Sequence, residues 1–143
     1  MSFVQQLYGK DGKSLVMITA YRVCNGHIST SGASTAFHQQ WHLLRLAGHL
    51  KPNPREAFIS DLTAAIKTWQ SAGTEIILGG DFNECLCDTP DGIRHLVTQC
   101  NLVDIHANNH SIQGEPNTYN CGSKRLDNIF VSPASWTTST SAA

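Results

Sequence analysis

The stretch Ile76-Ile77-Leu78-Gly79-Gly80-Asp81-Phe82-Asn83 decides how the rest of the chain is read. Thr74–Leu78 is short, apolar and β-branched, the composition of a buried strand. Two glycines end it and deliver Asp81 at its C-terminal edge. Glycine permits a tight turn and the close approach of a second backbone. Asp81 and Asn83 then stand two residues apart, a carboxylate and a carboxamide. If the turn aims both inward they could share one cation and one substrate phosphate. The carboxylate would hold a metal or orient water, and the amide would donate to an oxyanion. An Asx-type turn that merely closes a strand uses the same two residues.

Upstream, a helix start is well marked. Asn53 is the predicted N-cap, Pro54 the first helical residue, and Glu56 completes a capping box. Phe58, Leu62, Ala65, Ile66 and Trp69 recur at helical spacing, and Gly73 supplies the left-handed stop. Thr35–Leu50 reads as an earlier helix, with Phe37, Trp41, Leu43 and Leu44 on one face, ended by Lys51-Pro52-Asn53-Pro54. Residues 24–34 are a Gly/Ser/Thr loop. At the start, Lys10-Asp11-Gly12-Lys13 separates two apolar runs, so Phe3–Tyr8 and Ser14–Val23 are predicted antiparallel strands. Downstream, Thr89-Pro90-Asp91 caps a helix with Ile93, Leu96, Val97 and Cys100 inward. Leu102–Ile105 and Thr118–Tyr119 read as short extended pieces and Arg125–Val131 as a strand. This order is a mixed α/β arrangement in which helices cover an apolar sheet face.

The 143 residues suit one domain, predicted over 1–132, with a Ser/Thr/Ala-rich tail at 133–143 that frays. A hydrophobic content of 41% with 15% charged residues supports a core. The longest apolar runs, Leu15–Ile18 and Ile76–Leu78, fall far short of a membrane span, and no signal-peptide pattern opens the chain. An intracellular protein, nuclear or cytoplasmic, is expected. Ten basic residues against eleven acidic ones exclude a strongly basic nucleic-acid coat, and 8% aromatics argue against a base-stacking single-strand binder. The charge is uneven: residues 1–60 carry +4 and the remainder −5. Asp81, Glu84, Asp88 and Asp91 cluster in one short stretch, either a solvated loop or a hard-cation site.

Two further segments carry chemistry. Asp127 interrupts the apolar strand Arg125–Val131, so a buried carboxylate there needs a partner. It is either paired locally with Arg125 or Lys124, or orients a catalytic group. Tyr21 ends a buried strand and would put its phenol at the same rim as Asp81 if the strands neighbour. Arg22 beside it could meet a phosphate, though a Tyr covering the sheet end and a solvated Arg explain the pair equally. The five cysteines, Cys24, Cys85, Cys87, Cys100 and Cys121, lack a disulfide rhythm and read as reduced thiols. Cys85-x-Cys87 fits no common zinc spacing. His38/His42 and His106/His110 are i, i+4 pairs without the glutamate of a zinc-hydrolase motif.

Taken together and in order, Tyr21-Arg22, Gly79-Gly80-Asp81-Phe82-Asn83 and Arg125-Leu126-Asp127-Asn128-Ile129-Phe130-Val131 resemble the endonuclease/exonuclease/phosphatase, or DNase I-like, superfamily. Gln39-Gln40, Pro54-Arg55, Asp61-Leu62, Trp69, Asp91-Gly92-Ile93 and Pro116-Asn117-Thr118-Tyr119 are similar to the variant found beside reverse transcriptases in retroelements. The resemblance runs from about Phe3 to Ser132. It implies a four-layer α/β/β/α sandwich, present here in part, with two sheets face to face. It also implies a Mg²⁺- or Mn²⁺-dependent phosphodiesterase site at one rim, with nucleic acid or another phosphodiester as substrate and a reverse transcriptase of the same element as a candidate partner. On the matching positions, Asp81 would hold metal or activate water, Asn83 would bind the scissile phosphate and the metal, and Tyr21 would assist that phosphate. Arg22 would contact substrate, and Asp127 would orient a catalytic histidine.

The chain departs from that pattern at both ends. The family's metal-binding glutamate lies on a strand before the hairpin, where nothing precedes Met1. Its closing Ser-Asp-His has no counterpart after Ser132-Pro133, and no histidine follows His110. The expectation is therefore a domain cut at both ends, with impaired hydrolysis, an apolar sheet face left exposed and open edges. The alternative is a non-catalytic remnant that binds nucleic acid or a protein through Arg22, Lys51 and Arg55. The Gly-Gly-Asp-Phe stretch is also similar to the Gly-Gly-Asp-Glu-Phe turn of diguanylate cyclases, but no earlier strand supplies their second acid.

Overall fold

Asp11 and Gly12, at φ 62° and 73°, turn the chain between its first two strands, as the Asp-Gly pair predicts. In the computed structural model, which describes residues 2–28, 32–109, 118 and 124–133, β1 (Ser2–Tyr8) pairs antiparallel with β2 (Ser14–Tyr21). Thr35 caps α1 (Ala36–Leu46) by accepting the His38 N–H. That helix stops a turn earlier than the sequence predicts, because Gly48, at φ 93°, reverses the chain. The second start is as read: the Asn53 side chain accepts from the N–H groups of Arg55 and Glu56 and opens α2 (Pro54–Ser71), with Gly73 at φ 75° beyond its end.

From α2 the chain enters β3 (Glu75–Asp81), which lies parallel to β2. Here the structure corrects the sequence reading. The strand does not end at Leu78 but runs through both glycines, Gly79 between Thr19 and Ile129 and Gly80 between Ala20 and Asn128. Gly80 is needed for close approach: a Cβ there would lie 1.8 Å from the Ala20 carbonyl oxygen. Next come α3 (Ile93–Gln99), β4 (Val103–Asp104), α4 (Ile105–Asn109) and β5 (Asp127–Val131). The predicted extended piece at Thr118–Tyr119 lies outside the described residues except for Thr118, as does Cys121.

The sheet order is β1-β2-β3-β5-β4. Val16, Ile18, Ile76, Leu78 and Phe130 point to one face, where Ile59, Leu62 and Ile66 of α2 and Ile93 and Leu96 of α3 cover them. Phe82 sits between Phe58 and Phe130, with ring centroids 6.4 and 5.7 Å away. Each such side chain removed from water contributes roughly 1.5–3 kcal/mol. The other face stays open. Phe3, Leu7, Met17 and Ile129 stand on it with 40–69% of their surface exposed. The described residues thus build one five-stranded sheet with one helix layer packed on it. No helix among the described residues is long and apolar enough to cross a membrane.

Candidate functional site

Parallel pairing of β2 with β3, and antiparallel pairing of β3 with β5, put Tyr21, Asp81 and Asp127 in one row across three strand ends. Residues in register share a face, so all three belong to the open side of the sheet. The rim anticipated from the sequence is therefore present. Two further backbone bonds hold Asp81 there: Arg22 N–H donates to its carbonyl (2.9 Å) and Phe82 N–H to the Leu126 carbonyl (3.0 Å). Asp81 and Asp127, directly opposed, have Cβ atoms roughly 5 Å apart.

Asn83 follows in a left-handed conformation, φ 47°, which Asn tolerates better than most residues. Asp81 Oδ1 accepts the Asn83 N–H at 2.9 Å, so the Asx turn is real and is also what folds Asn83 back over the rim. The Asn83 amide donates to the Arg22 carbonyl at 2.8 Å, and its Oδ1 accepts from the Cys24 thiol at 3.2 Å. Tyr21 is 41% exposed, with its hydroxyl 4.0 Å from Cys24 Sγ. Partial desolvation, Cys24 and the Asp81 charge push the Tyr21 phenol above its ordinary value, so it remains a hydrogen-bond donor into alkaline solution.

Two positions differ from the sequence reading. Asp127 is not in the middle of an apolar strand but is the first residue of β5, and it is exposed. Neither local base pairs with it: Arg125 makes a two-point contact with Asp104, and Lys124 pairs with Asp88. Arg22 alternates to the helix side of the sheet. It is 4% exposed and its guanidinium meets the Glu84 carboxylate and the Arg55 carbonyl. What Arg22 contacts is the interior of the fold, not the open rim.

Glu84, which the sequence offers only as one of four clustered acids, is neither solvated nor aimed at an ion but buried in a network of donors. Its carboxylate accepts from Arg22, from the Thr89 hydroxyl at 2.6 Å and from the Ile93 N–H at 2.8 Å, with Arg55 3.8 Å away. Burial alone would raise its pKa; the Thr89, Ile93 and Arg22 donors outweigh that and hold it below the usual carboxylate range. Glu84, rather than the predicted Thr89-Pro90-Asp91 turn, satisfies the first N–H of α3. Gly92 is bare because a Cβ there would lie 2.1 Å from Glu84 Oε2. Arg55 meanwhile donates to the carbonyls of Val23 and Asn83. The network ties three segments to the turn that carries Asn83. The signal for it was present in sequence, an acid directly after the Asp-Phe-Asn triplet, but its partners lie far along the chain.

The acidic stretch does not converge on an ion. Glu84 faces Arg22, Asp88 faces Lys124 and caps the Cys85 N–H, and no group of three or more His, Cys, Asp or Glu suited to a metal occurs among the described residues. The oxygen-bearing side chains that share the rim are Asp81, Asp127 opposite it in register, and Asn83, which bonds to Asp81. That set suits Mg²⁺ or Mn²⁺, since Mg²⁺ takes one or two carboxylates, keeps several waters and shares phosphate oxygens.

No family model matches the chain. No curated protein matches it either. Among solved structures, the chain is similar to the human Nocturnin catalytic domain determined with a bound sulfate anion, with TM-score 0.58 and 19% identity over 92% of this chain and 41% of that one. It is also similar to a β toxin of Staphylococcus aureus, with TM-score 0.45 and 15% identity over 92% of this chain and 42% of that one. The chain spans about two-fifths of the length of these structures. The likeness is one of fold: mixed α/β, with a five-stranded sheet and its helix layer arranged as in DNase I-like proteins.

Proposed function

We propose that the chain carries a metal-dependent phosphodiester hydrolase site of the endonuclease type, centred on Asp81, with nucleic acid as the favoured substrate class. The observation that carries this reading is the row Tyr21, Asp81, Asp127, with Asn83 folded over it by Asp81 itself. Two directly opposed carboxylates repel one another, and a divalent cation at the rim removes that cost. Asp81 and Asp127 would hold Mg²⁺ or Mn²⁺ together with the Asn83 oxygen. Such an ion polarises a phosphoryl oxygen and lowers the pKa of bound water. The protein's own groups do the rest. Asn83 and the persistently protonated Tyr21 donate to the phosphate, and the Arg55 bond to the Asn83 carbonyl fixes the amide's position.

The binding-remnant alternative relied on Arg22, Lys51 and Arg55. Two of these three are committed to Glu84 and to backbone carbonyls, which leaves Lys51 as the exposed member of the set.

The test is cleavage of plasmid DNA and of a bis-aryl phosphate diester, together with Mn²⁺ binding followed by electron paramagnetic resonance. Turnover is expected only with Mg²⁺ or Mn²⁺ and is lost with a chelator. Asp81→Ala removes both turnover and Mn²⁺ binding. Asn83→Ala lowers turnover by about 10²–10³, the scale for one preorganised oxyanion donor. Asp127→Ala weakens Mn²⁺ binding and lowers turnover, because it removes the second carboxylate of the rim. Turnover that persists in Asp81→Ala, or Mn²⁺ binding unaffected by it, overturns the assignment.

A further inference from the structure

Among the described residues, the outer edge of β1 shows none of the devices that normally close a sheet edge. Its seven residues, Ser2–Tyr8, hydrogen-bond to β2 on one side only, and the strand holds no charge and no proline. Natural edges are blunted by lysine, proline, bulges or extreme shortness, and β4, at the other edge, is only two residues long. A second feature lies alongside. Ser2 and Val4 are in register with core residues Ala20 and Ile18, so they face the helix side. There they form one wall of an open groove of about 490 Å³ whose other wall includes Leu43, Phe58 and Trp69.

We infer that β1 pairs antiparallel with β1 of a second copy of this chain, centred on Gln5, and that each groove receives the Tyr8 side chain of the other copy. The sequence of the strand favours a copy over any other occupant. About Gln5, Ser2 stands opposite Tyr8, Phe3 opposite Leu7, Val4 opposite Gln6, and Gln5 opposite itself. Two-fold pairing of this kind uses the same patch on both molecules. No like charges meet, and the apolar pair Phe3–Leu7 falls twice on the open face, where both side chains are otherwise exposed. On the helix side the pairing sets Tyr8, 79% exposed in the single chain, across from Ser2 at the groove. Leu43, 64% exposed on α1, lines the same groove and gains cover from the same event. The pairing adds main-chain hydrogen bonds along the strand and joins two five-stranded sheets into one. It is independent of the hydrolase reading, since the rim lies on β2, β3 and β5.

The experiment is sedimentation velocity on the 143-residue chain from low to high micromolar concentration, with Gln5→Lys and Gln5→Glu variants. A concentration-dependent dimer is expected. Each variant alone weakens it about fivefold, because like charges then oppose at the two-fold axis, and an equimolar mixture of the two restores it. Gln5 is exposed in the single chain, so circular dichroism should show both variants folded as the parent is. In a parallel measurement, Gln5→Cys cross-links to a dimer on mild oxidation and Leu7→Cys does not. Directly opposed Cα atoms lie about 4.5–5.5 Å apart, within disulfide range. A monomer at every concentration, charge variants that leave association unchanged, mixing that restores nothing, or equal cross-linking at position 7 overturns the inference.

Discussion

Gly80→Ala should leave little folded protein, whereas Gly79→Ala, one residue earlier in the same strand, should be nearly silent. The two glycines look alike in sequence, but their surroundings differ. At Gly79 a new methyl group meets its nearest atom, Ile129 Cγ1, at 3.7 Å, ordinary van der Waals contact. At Gly80 it would stand 1.8 Å from the Ala20 carbonyl oxygen and 2.8 Å from the Ala20 carbon, both backbone atoms of a central strand. Gly80 also has φ 156°, a conformation that side-chain-bearing residues rarely adopt. Relief requires β2 and β3 to part at the point where they deliver Tyr21 and Asp81. The expected loss exceeds about 4 kcal/mol, a large part of the roughly 5–15 kcal/mol that holds a native domain together. Thermal melts by circular dichroism would show it: no cooperative transition for Gly80→Ala, and a midpoint close to the parent's for Gly79→Ala. A Gly80→Ala protein that melts within a few degrees of the parent would show that the two strands do not approach as described.

That contrast also shows what can be read from a sequence. The hairpin and the start of α2 were legible because their chemistry is local. Asp11 and Gly12 take positive φ within their own turn, and Asn53 caps N–H groups two and three residues away. The rim was legible conditionally. Tyr21 and Asp81 each end an apolar run, and the only missing fact was that β2 and β3 are neighbours, which parallel pairing through two intervening helices supplied. Gly79-Gly80 was misread as the end of a strand because a glycine that makes a turn and a glycine that admits a neighbouring backbone have the same local signature. Only the partner strand distinguishes them.

Asp127 was misplaced for a related reason. The apolar pattern from Leu126 to Val131 does not reveal that Arg125 is drawn to Asp104 and that the Leu126 carbonyl accepts from Phe82, so that β5 begins at the carboxylate. An exposed Asp at a strand start needs no buried counter-charge, which removes the argument that it must have one. Arg22 carried the opposite error: a base beside a rim residue suggested a phosphate contact, whereas alternation along the strand sends it to the other face.

The second large effect belongs to Glu84. Glu84→Ala should destabilise the fold by about 3–5 kcal/mol, the range for removing one member of a buried ion pair and stranding the other. Three donors lose their acceptor at once: the Arg22 guanidinium, the Thr89 hydroxyl and the first N–H of α3. Arg22 and Arg55 are then left facing one another, and each already lies close enough for Arg55 to lower the Arg22 pKa beyond the larger effect of burial. Glu84→Gln preserves shape and one acceptor oxygen, so it should cost less but still leave two buried cations without a counter-charge. Gly92→Ala attacks the same seat from the other side, since its methyl group would occupy the space of the carboxylate. The pH dependence follows in sign from the depressed carboxyl of Glu84. Its contribution is fully present above the unfolded value of about 4.3 and is lost as pH falls through the lower, folded value. The parent should therefore lose stability steeply in that acid window, and Glu84→Gln should show a flatter profile there. Because Arg55 also holds the Asn83 carbonyl, loss of Glu84 should loosen the turn over the rim before the sheet unfolds. Amide exchange at Asn83 that rises in Glu84→Gln under conditions where β3 stays protected would demonstrate that order, and simultaneous loss of protection at both would refute it.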